Sequence, residues 1–201
     1  DFQDYLDTLT AKRRKEIRRE RRLAAQTGVE IEVLDGHQAD DAVWETYHRF
    51  YSATFDRKWG VATLSAEFFK AIGRALPDRV ALIMARLDGE YIAGAFNLAG
   101  TDTLYGRHWG ALRELPYVHF EVCYYQAIEH CIARGLARFE AGAQGEHKIA
   151  RGYLPQATWS AHWIGHPGFR EAIGRFLARE RSDMAEIIDE LGARSPYRTP
   201  V

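Results

Sequence analysis

The spacing of apolar positions changes several times along the chain, and each change marks a predicted element. Val29-Glu-Ile-Glu-Val-Leu34 alternates strictly, as a half-buried strand does. Before it, residues 2–26 read as one helix that Gly28 ends, with Thr10 placed to cap part of it. From Asp40 to about Phe55, Val43, Tyr47, Phe50, Tyr51 and Thr54 recur at helical spacing. Ser65 caps a further helix, which Pro77 stops. Residues 79–87, 90–99 and 103–109 read as three consecutive strands, and Asp88-Gly89 is a hairpin turn signal between the first two. Pro116 opens a helix that carries the stripe Phe120, Tyr124, Ala127, Ile128 and Cys131, and Gly135 terminates it after Arg134. A short strand over 136–141, one helical turn from Glu146, a strand over 157–164 and a long helix over 167–191 complete the pattern.

After the leading helix the order is β-α-α-β-β-β-α-β-α-β-α. It predicts an α/β (α+β) protein in which helices flank a mixed central sheet and a basic helical arm precedes it. This element order resembles that of GNAT acyltransferases. The expected division is an arm over 1–28, a GNAT-like domain over 29–195 and a tail over 196–201.

Composition narrows the function classes. The chain has 201 residues, 46% of them hydrophobic, enough for a real core and too many for a disordered chain. The net charge of -1 argues against wholesale nucleic-acid binding and directs attention to local clusters. The densest is in the arm, where Lys12, Arg13, Arg14, Lys15, Arg18, Arg19, Arg21 and Arg22 are offset only by Glu16 and Glu20. Clustered cations release counterions on meeting phosphate, so the arm suits tRNA or anionic lipid head groups. The plainer alternative is a solvated helix, because Tyr5, Leu9, Ile17 and Leu23 make no continuous stripe on one helix. Cys123 and Cys131 sit about 12 Å apart on one helix, too far for a disulfide, which fits a reducing compartment and a cytoplasmic location. No apolar run approaches the ~20 residues of a membrane span. The chain begins at Asp1 inside a helical pattern, which reads as a piece of a longer protein whose N-terminal part is missing.

Candidate chemistry gathers in three stretches. In Leu104-Tyr-Gly-Arg-His-Trp-Gly110, alternation places Tyr105, Arg107 and Trp109 on one strand face, where Arg107 can hold a phosphate or carboxylate in two hydrogen bonds. On the following helix, His119, Cys123 and Gln126 share one face and Glu121 and Tyr125 another. Glu121 in the first turn also suits the helix dipole with no catalytic role. His119 and Cys123 have the spacing of metal ligands, but further ligands at standard spacing are absent, so no metal is expected. The third stretch is Phe139-Glu-Ala-Gly-Ala-Gln-Gly-Glu-His-Lys-Ile-Ala-Arg-Gly152. Glu140 reads either as a desolvated base or as a partner of Arg138 or Arg107. Gly142 and Gly145 free the backbone around Gln144, while Lys148 and Arg151 can cradle an anion and Glu146 or His147 can move a proton. The alternative is a solvated turn laced by salt bridges.

These three stretches, with Ala11-Lys-Arg-Arg-Lys-Glu-Ile-Arg-Arg-Glu-Arg21, Phe50-Tyr51, Lys58-Trp-Gly60 and Trp163, resemble the FemAB-like proteins of bacterial peptidoglycan biosynthesis/recognition, over nearly the whole chain. Gly-Ala-Gln-Gly-Glu-His-Lys is the most specific part. The resemblance implies a GNAT-type fold and acyl or aminoacyl transfer to an amine, on a small-molecule or cell-envelope peptide acceptor. Family members are longer at the N-terminus, which implies a missing half as a partner. One departure concerns the donor. GNAT enzymes that use acetyl-CoA carry a glycine-rich turn before the central helix, and here that junction reads Gly110-Ala-Leu-Arg-Glu-Leu-Pro-Tyr117. Fem-type enzymes also lack that turn and use aminoacyl-tRNA. The expected catalytic set is therefore Glu140, Glu146, His147 and Tyr125, with Arg107, Trp109, His119, Glu121, Gln126, Gln144, Lys148 and Arg151 binding substrate or donor. A domain that only recognises an envelope glycan or peptide is the rival expectation.

Overall fold

The computed structural model describes residues 1–56, 60–142 and 145–198. It divides into two compact units, 1–144 and 145–201. The first holds a five-stranded sheet in the order β1-β2-β3-β4-β5. β1 (Glu30–Leu34), β2 (Val80–Leu87), β3 (Glu90–Ala99) and β4 (Thr103–Ala111) pair antiparallel, and β5 (Arg138–Glu140) joins β4 in parallel. The predicted meander and its Asp88-Gly89 turn are present, with Asp88 and Gly89 both at positive φ as the turn demands.

Alternation along β2 sorts two cores. Ala81, Ile83 and Ala85 face the central helix through Val118, Val122, Ala127 and Cys131. Leu82 and Met84 face the other way, onto α3 (Asp41–Asp56) and α4 (Ala66–Ala75), which contribute Trp44, Tyr47, Phe50, Tyr51 and Phe69. Ser65 caps α4 by accepting from the Phe68 amide. Helix α3 comes close against the sheet at Gly110 of β4. A Cβ there would lie 2.0 Å from the Phe50 carbonyl oxygen, so only glycine fits.

The leading segment is two helices rather than the single one predicted over 2–26. α1 (Phe2–Thr8) and α2 (Ala11–Ala25) meet at Leu9 and Thr10, both extended. The break drives Leu9 fully into the interior, and the Arg14 guanidinium donates to the freed Leu9 carbonyl. It also explains the discontinuous stripe: Leu6 and Leu9 enter the core from the first helix and its end, Ile17 and Ala24 from the second. The arm lies within the first unit.

The central helix begins as α5 (Val118–Phe120), passes through a π-helical turn (Glu121–Tyr125) and continues as α6 (Gln126–Arg134). Gly135, at positive φ, ends it as predicted. In the second unit, a 3-10 turn (Glu146–Arg151) precedes α7 (Pro167–Gly192). The strand expected over 157–164 is absent. Those residues have no ladder partner among the described residues, and Trp159 and Trp163 stand exposed. A strand exists only by pairing, so alternation alone does not make one.

Gly110→Ala is expected to destabilise the protein by about 3 kcal/mol or more, because the added methyl meets backbone that cannot rotate away. Equilibrium denaturation against the parent chain checks it.

Candidate functional site

Two one-residue slips decide where the candidate side chains point. In the β3–β4 register Phe96 opposes His108 while Asn97 opposes Gly106, so Arg107 is an extra, bulged residue. The bulge reverses the alternation beyond it. Leu104 and Trp109 both pack on the core beneath the central helix, whereas His108 turns to Tyr51 on the α3 side. Tyr105, Arg107 and Trp109 therefore do not share a face, contrary to strict alternation. Burial, then the Arg107 charge, lowers the His108 pKa.

The second slip is the π turn, in which the Gln126 amide bonds the Glu121 carbonyl. It adds a residue to one turn, and residues five apart come together. His119 lies against Tyr124, their ring centroids 5.7 Å apart, and the Gln126 side-chain amide donates to Glu121 Oε1 at 2.8 Å. Gln126 thus joins Glu121 instead of His119 and Cys123.

One cavity, about 430 Å³, opens where β4 runs into the central helix, lined by Thr54, Trp109, Arg113, Glu114, Leu115, Val118 and His119. The Trp109 and His119 rings stand 5.1 Å apart, and the Thr54 hydroxyl donates to the Trp109 carbonyl at 3.0 Å. β5 accompanies β4 only over Thr103–Tyr105, so the outer end of β4 has no strand beyond it among the described residues. The amides of Leu112 and Arg113 both turn to the Ile92 carbonyl, which leaves them unavailable as the phosphate cradle of a glycine-rich turn. Arg113 and Glu114 escaped the sequence reading although they lie in the very junction that lacks the glycine pair. Their position between a core strand and a buried helix was the usable signal.

A second cavity, about 560 Å³, lies between the arm, β1 and the central helix. Here Arg21 donates from Nη2 to Glu121 at 2.9 Å and from Nη1 to Glu129 at 2.6 Å, and its guanidinium covers the Phe2 ring at 4.4 Å. The Glu121 side chain is 8% exposed. Its charge is balanced by Arg21 and solvated by Gln126, so both predicted binding residues on this face hold the arm in place. The Tyr125 hydroxyl, also buried, donates to the Glu20 carboxylate. Glu121 and Tyr125 do share a face, as read, and that face meets α2.

Glu140 is neither desolvated nor paired as expected. It is exposed on the edge strand, Arg138 pairs instead with Asp102 at 3.6 Å, and no ion pair joins Glu140 to Arg107 among the described residues. Gln144 and the Lys58-Trp59 part of the family motif lie outside the described residues. In the second unit, Glu146 pairs with Arg194 at 2.9 Å. Arg151 is buried and donates to the His147 carbonyl at 2.8 Å. Burial first, then the charges of Arg151 and Lys148, lowers the His147 pKa, which favours neutral imidazole. No group of three His, Cys, Asp or Glu side chains among the described residues is placed to hold a metal ion.

Residues 1–199 match the FemAB-like model, described as peptidoglycan biosynthesis/recognition. The chain belongs to the FemAB-like family. Solved structures agree on the fold of this FemAB-like chain. One similar structure is FemX, at 13% identity and a TM-score of 0.52, with 67% of this chain and 48% of FemX covered. Another is the C-terminal domain (DUF2156) of a putative lysylphosphatidylglycerol synthetase from Agrobacterium fabrum, at 12% identity and a TM-score of 0.51, with 67% and 43% covered. An aminoglycoside acetyltransferase, meta-AAC0020, from an uncultured soil metagenomic sample aligns at 12% identity and a TM-score of 0.47 over 69% of this chain and 95% of its own. The FemAB-like chain thus spans about half or less of the first two structures. No curated protein matches it in sequence. The first unit is a mixed sheet flanked by helices, a fold that it shares with FemX and with the synthetase domain. No helix among the described residues is long and apolar enough to cross a membrane.

Arg21→Ala should cost about 3 kcal/mol, since it leaves the Glu121 carboxylate buried without its cation. Adding Glu121→Gln to that variant should recover part of the loss, a comparison that paired denaturation curves can make.

Proposed function

We propose that this chain is the acyl-transfer portion of a FemAB-like transferase, moving an acyl or aminoacyl group onto the amine of an envelope-related acceptor such as a peptide. The observation that carries the reading is the cavity at the end of β4, where Trp109, His119, Arg113 and Glu114 converge along the stretch of β4 that β5 does not accompany. Strand ends at a core helix are where α/β folds keep ligands. In this reading Arg113 holds the donor's phosphate, Trp109 packs against its body, and Glu114 attracts the acceptor's ammonium. His119 takes the proton as the amine nitrogen attacks the donor carbonyl, and the C–O or C–S bond to the carrier then breaks. The chemistry needs no metal. With the Leu112 and Arg113 amides committed to Ile92, aminoacyl-tRNA is favoured as donor over acetyl-CoA. The arm supports the same choice. Lys12, Lys15, Arg19 and Arg22 recur on one outward face of α2 and make no ion pair among the described residues, so they are available to tRNA phosphates.

The Glu146–Arg151 turn is a separate proposal for proton transfer, because His147 is exposed beside Lys148 and burial and the neighbouring cations lower its pKa. Independent single variants tell the two apart.

The test uses the full-length protein with aminoacyl-tRNA or acetyl-CoA and an amine-bearing envelope peptide. Transfer from aminoacyl-tRNA is expected, with His119→Ala slower by about 100-fold in kcat and His147→Ala little changed. A loss confined to His147→Ala would move the chemistry to the second unit. Saturable peptide binding with no transfer from either donor would replace the enzyme with the recognition domain.

A further inference from the structure

The central helix departs from α geometry by one residue between Glu121 and Gln126, and the anchor of the arm depends on that slip. Glu121 and Glu129 are eight positions apart. In an unbroken α-helix that spacing turns them about 80° from one another around the axis. The residue absorbed by the π turn leaves them as if seven apart, within about 20° of one line. Arg21 uses this alignment. Its Nε and Nη2 reach the Glu121 carboxylate at 3.2 and 2.9 Å, while Nη1 reaches Glu129 at 2.6 Å.

The seating of His119 depends on the same slip. His119 and Tyr124 are five positions apart and would stand about 140° from one another on an unbroken helix. Their ring centroids are instead 5.7 Å apart. His119 is held between Tyr124 and Trp109, 5.1 Å away, in the wall of the β4 cavity. Every residue in this series of contacts belongs to the first unit. A group that binds one of two conformations more tightly shifts the equilibrium toward it. A guanidinium fork that needs both carboxylates in line binds the slipped helix in preference to the regular one.

We propose that Arg21 is a positioning residue for His119: by gripping Glu121 and Glu129 together it holds the π turn, and with it the His119 ring against Trp109. The inference rests on the reading of His119 as the base and gives that base a support from the arm, which itself touches no reacting atom.

Proton NMR of the histidine rings in the 201-residue chain tests this. Ring currents of Trp109 and Tyr124 displace the His119 signal from that of an exposed histidine, and His119→Gln assigns it. Arg21→Lys keeps a cation beside Glu121 but cannot hold both carboxylates. In that variant the His119 signal is expected to move toward the exposed position, while the His108 signal, set by Tyr51 at 5.0 Å, stays in place. Glu129→Gln removes only the outer contact and leaves Glu121 paired, so it should move the His119 signal the same way by less. In the full-length transfer assay, Arg21→Lys should lower kcat about tenfold and leave the acceptor KM unchanged. A His119 signal unmoved in both variants would overturn the inference, because the core contacts of Val118, Val122, Ala127 and Cys131 would then hold the turn unaided. So would a His108 signal that moves with it, the mark of general loosening. A moved His119 signal with unaltered transfer would uphold the role of Arg21 and overturn His119 as the base.

Discussion

The approach of α3 to β4 at Gly110 is the constraint on which the first unit is built. The Phe50 carbonyl occupies the space that any side chain at 110 would need. On either side, the hydroxyls of Tyr47 and Thr54 bond the carbonyls of His108 and Trp109. Helix and strand are thereby locked in register over two turns. The bulge at Arg107 serves this arrangement, because it turns His108 toward Tyr51 and sends Trp109 through to the opposite core. The wall of the β4 cavity is a by-product of that crossing.

A different force holds the arm. Burying the Glu121 carboxylate is costly unless a cation and further hydrogen bonds replace the water it loses. Arg21 supplies the first and Gln126 part of the second, and the π turn brings Gln126 within reach. The basic character of α2 is thus divided by face. Arg14 and Arg21 turn inward to satisfy a carbonyl and a carboxylate, while Lys12, Lys15, Arg19 and Arg22 remain outside.

Features set by local chemistry were legible in the sequence. The alternation of β1, the Asp88-Gly89 turn, the Ser65 cap and the Gly135 stop each depend on a few neighbouring residues, and all are present. What escaped were displacements of a single residue. Neither the Arg107 bulge nor the π turn alters composition or average period, yet each reverses which side chains meet. The break at Leu9 and Thr10 was hidden by a basic sequence that favours helix throughout. Of the candidate site, the pairing of Trp109 with His119 follows from their nearness to one strand-helix junction. The binding of Glu121 by Arg21 joins residues 100 positions apart, and no local pattern reports it. The expected strand over 157–164 fails for the converse reason, having the right alternation and no neighbour to pair with.

That separation of 100 positions also orders the birth of the fold. The β2–β3–β4 meander pairs residues close in the chain and pays little loop-closure entropy. The arm is synthesised before its anchor: Glu121 exists only after the meander and the start of the central helix have been made. Until then α2 is a solvated, self-repelling cationic segment with Leu9 and Ile17 uncovered. The arm is therefore made before the residues that hold it and is among the last parts of this unit to find its place, and that interval leaves the nascent chain open to chaperones and proteases.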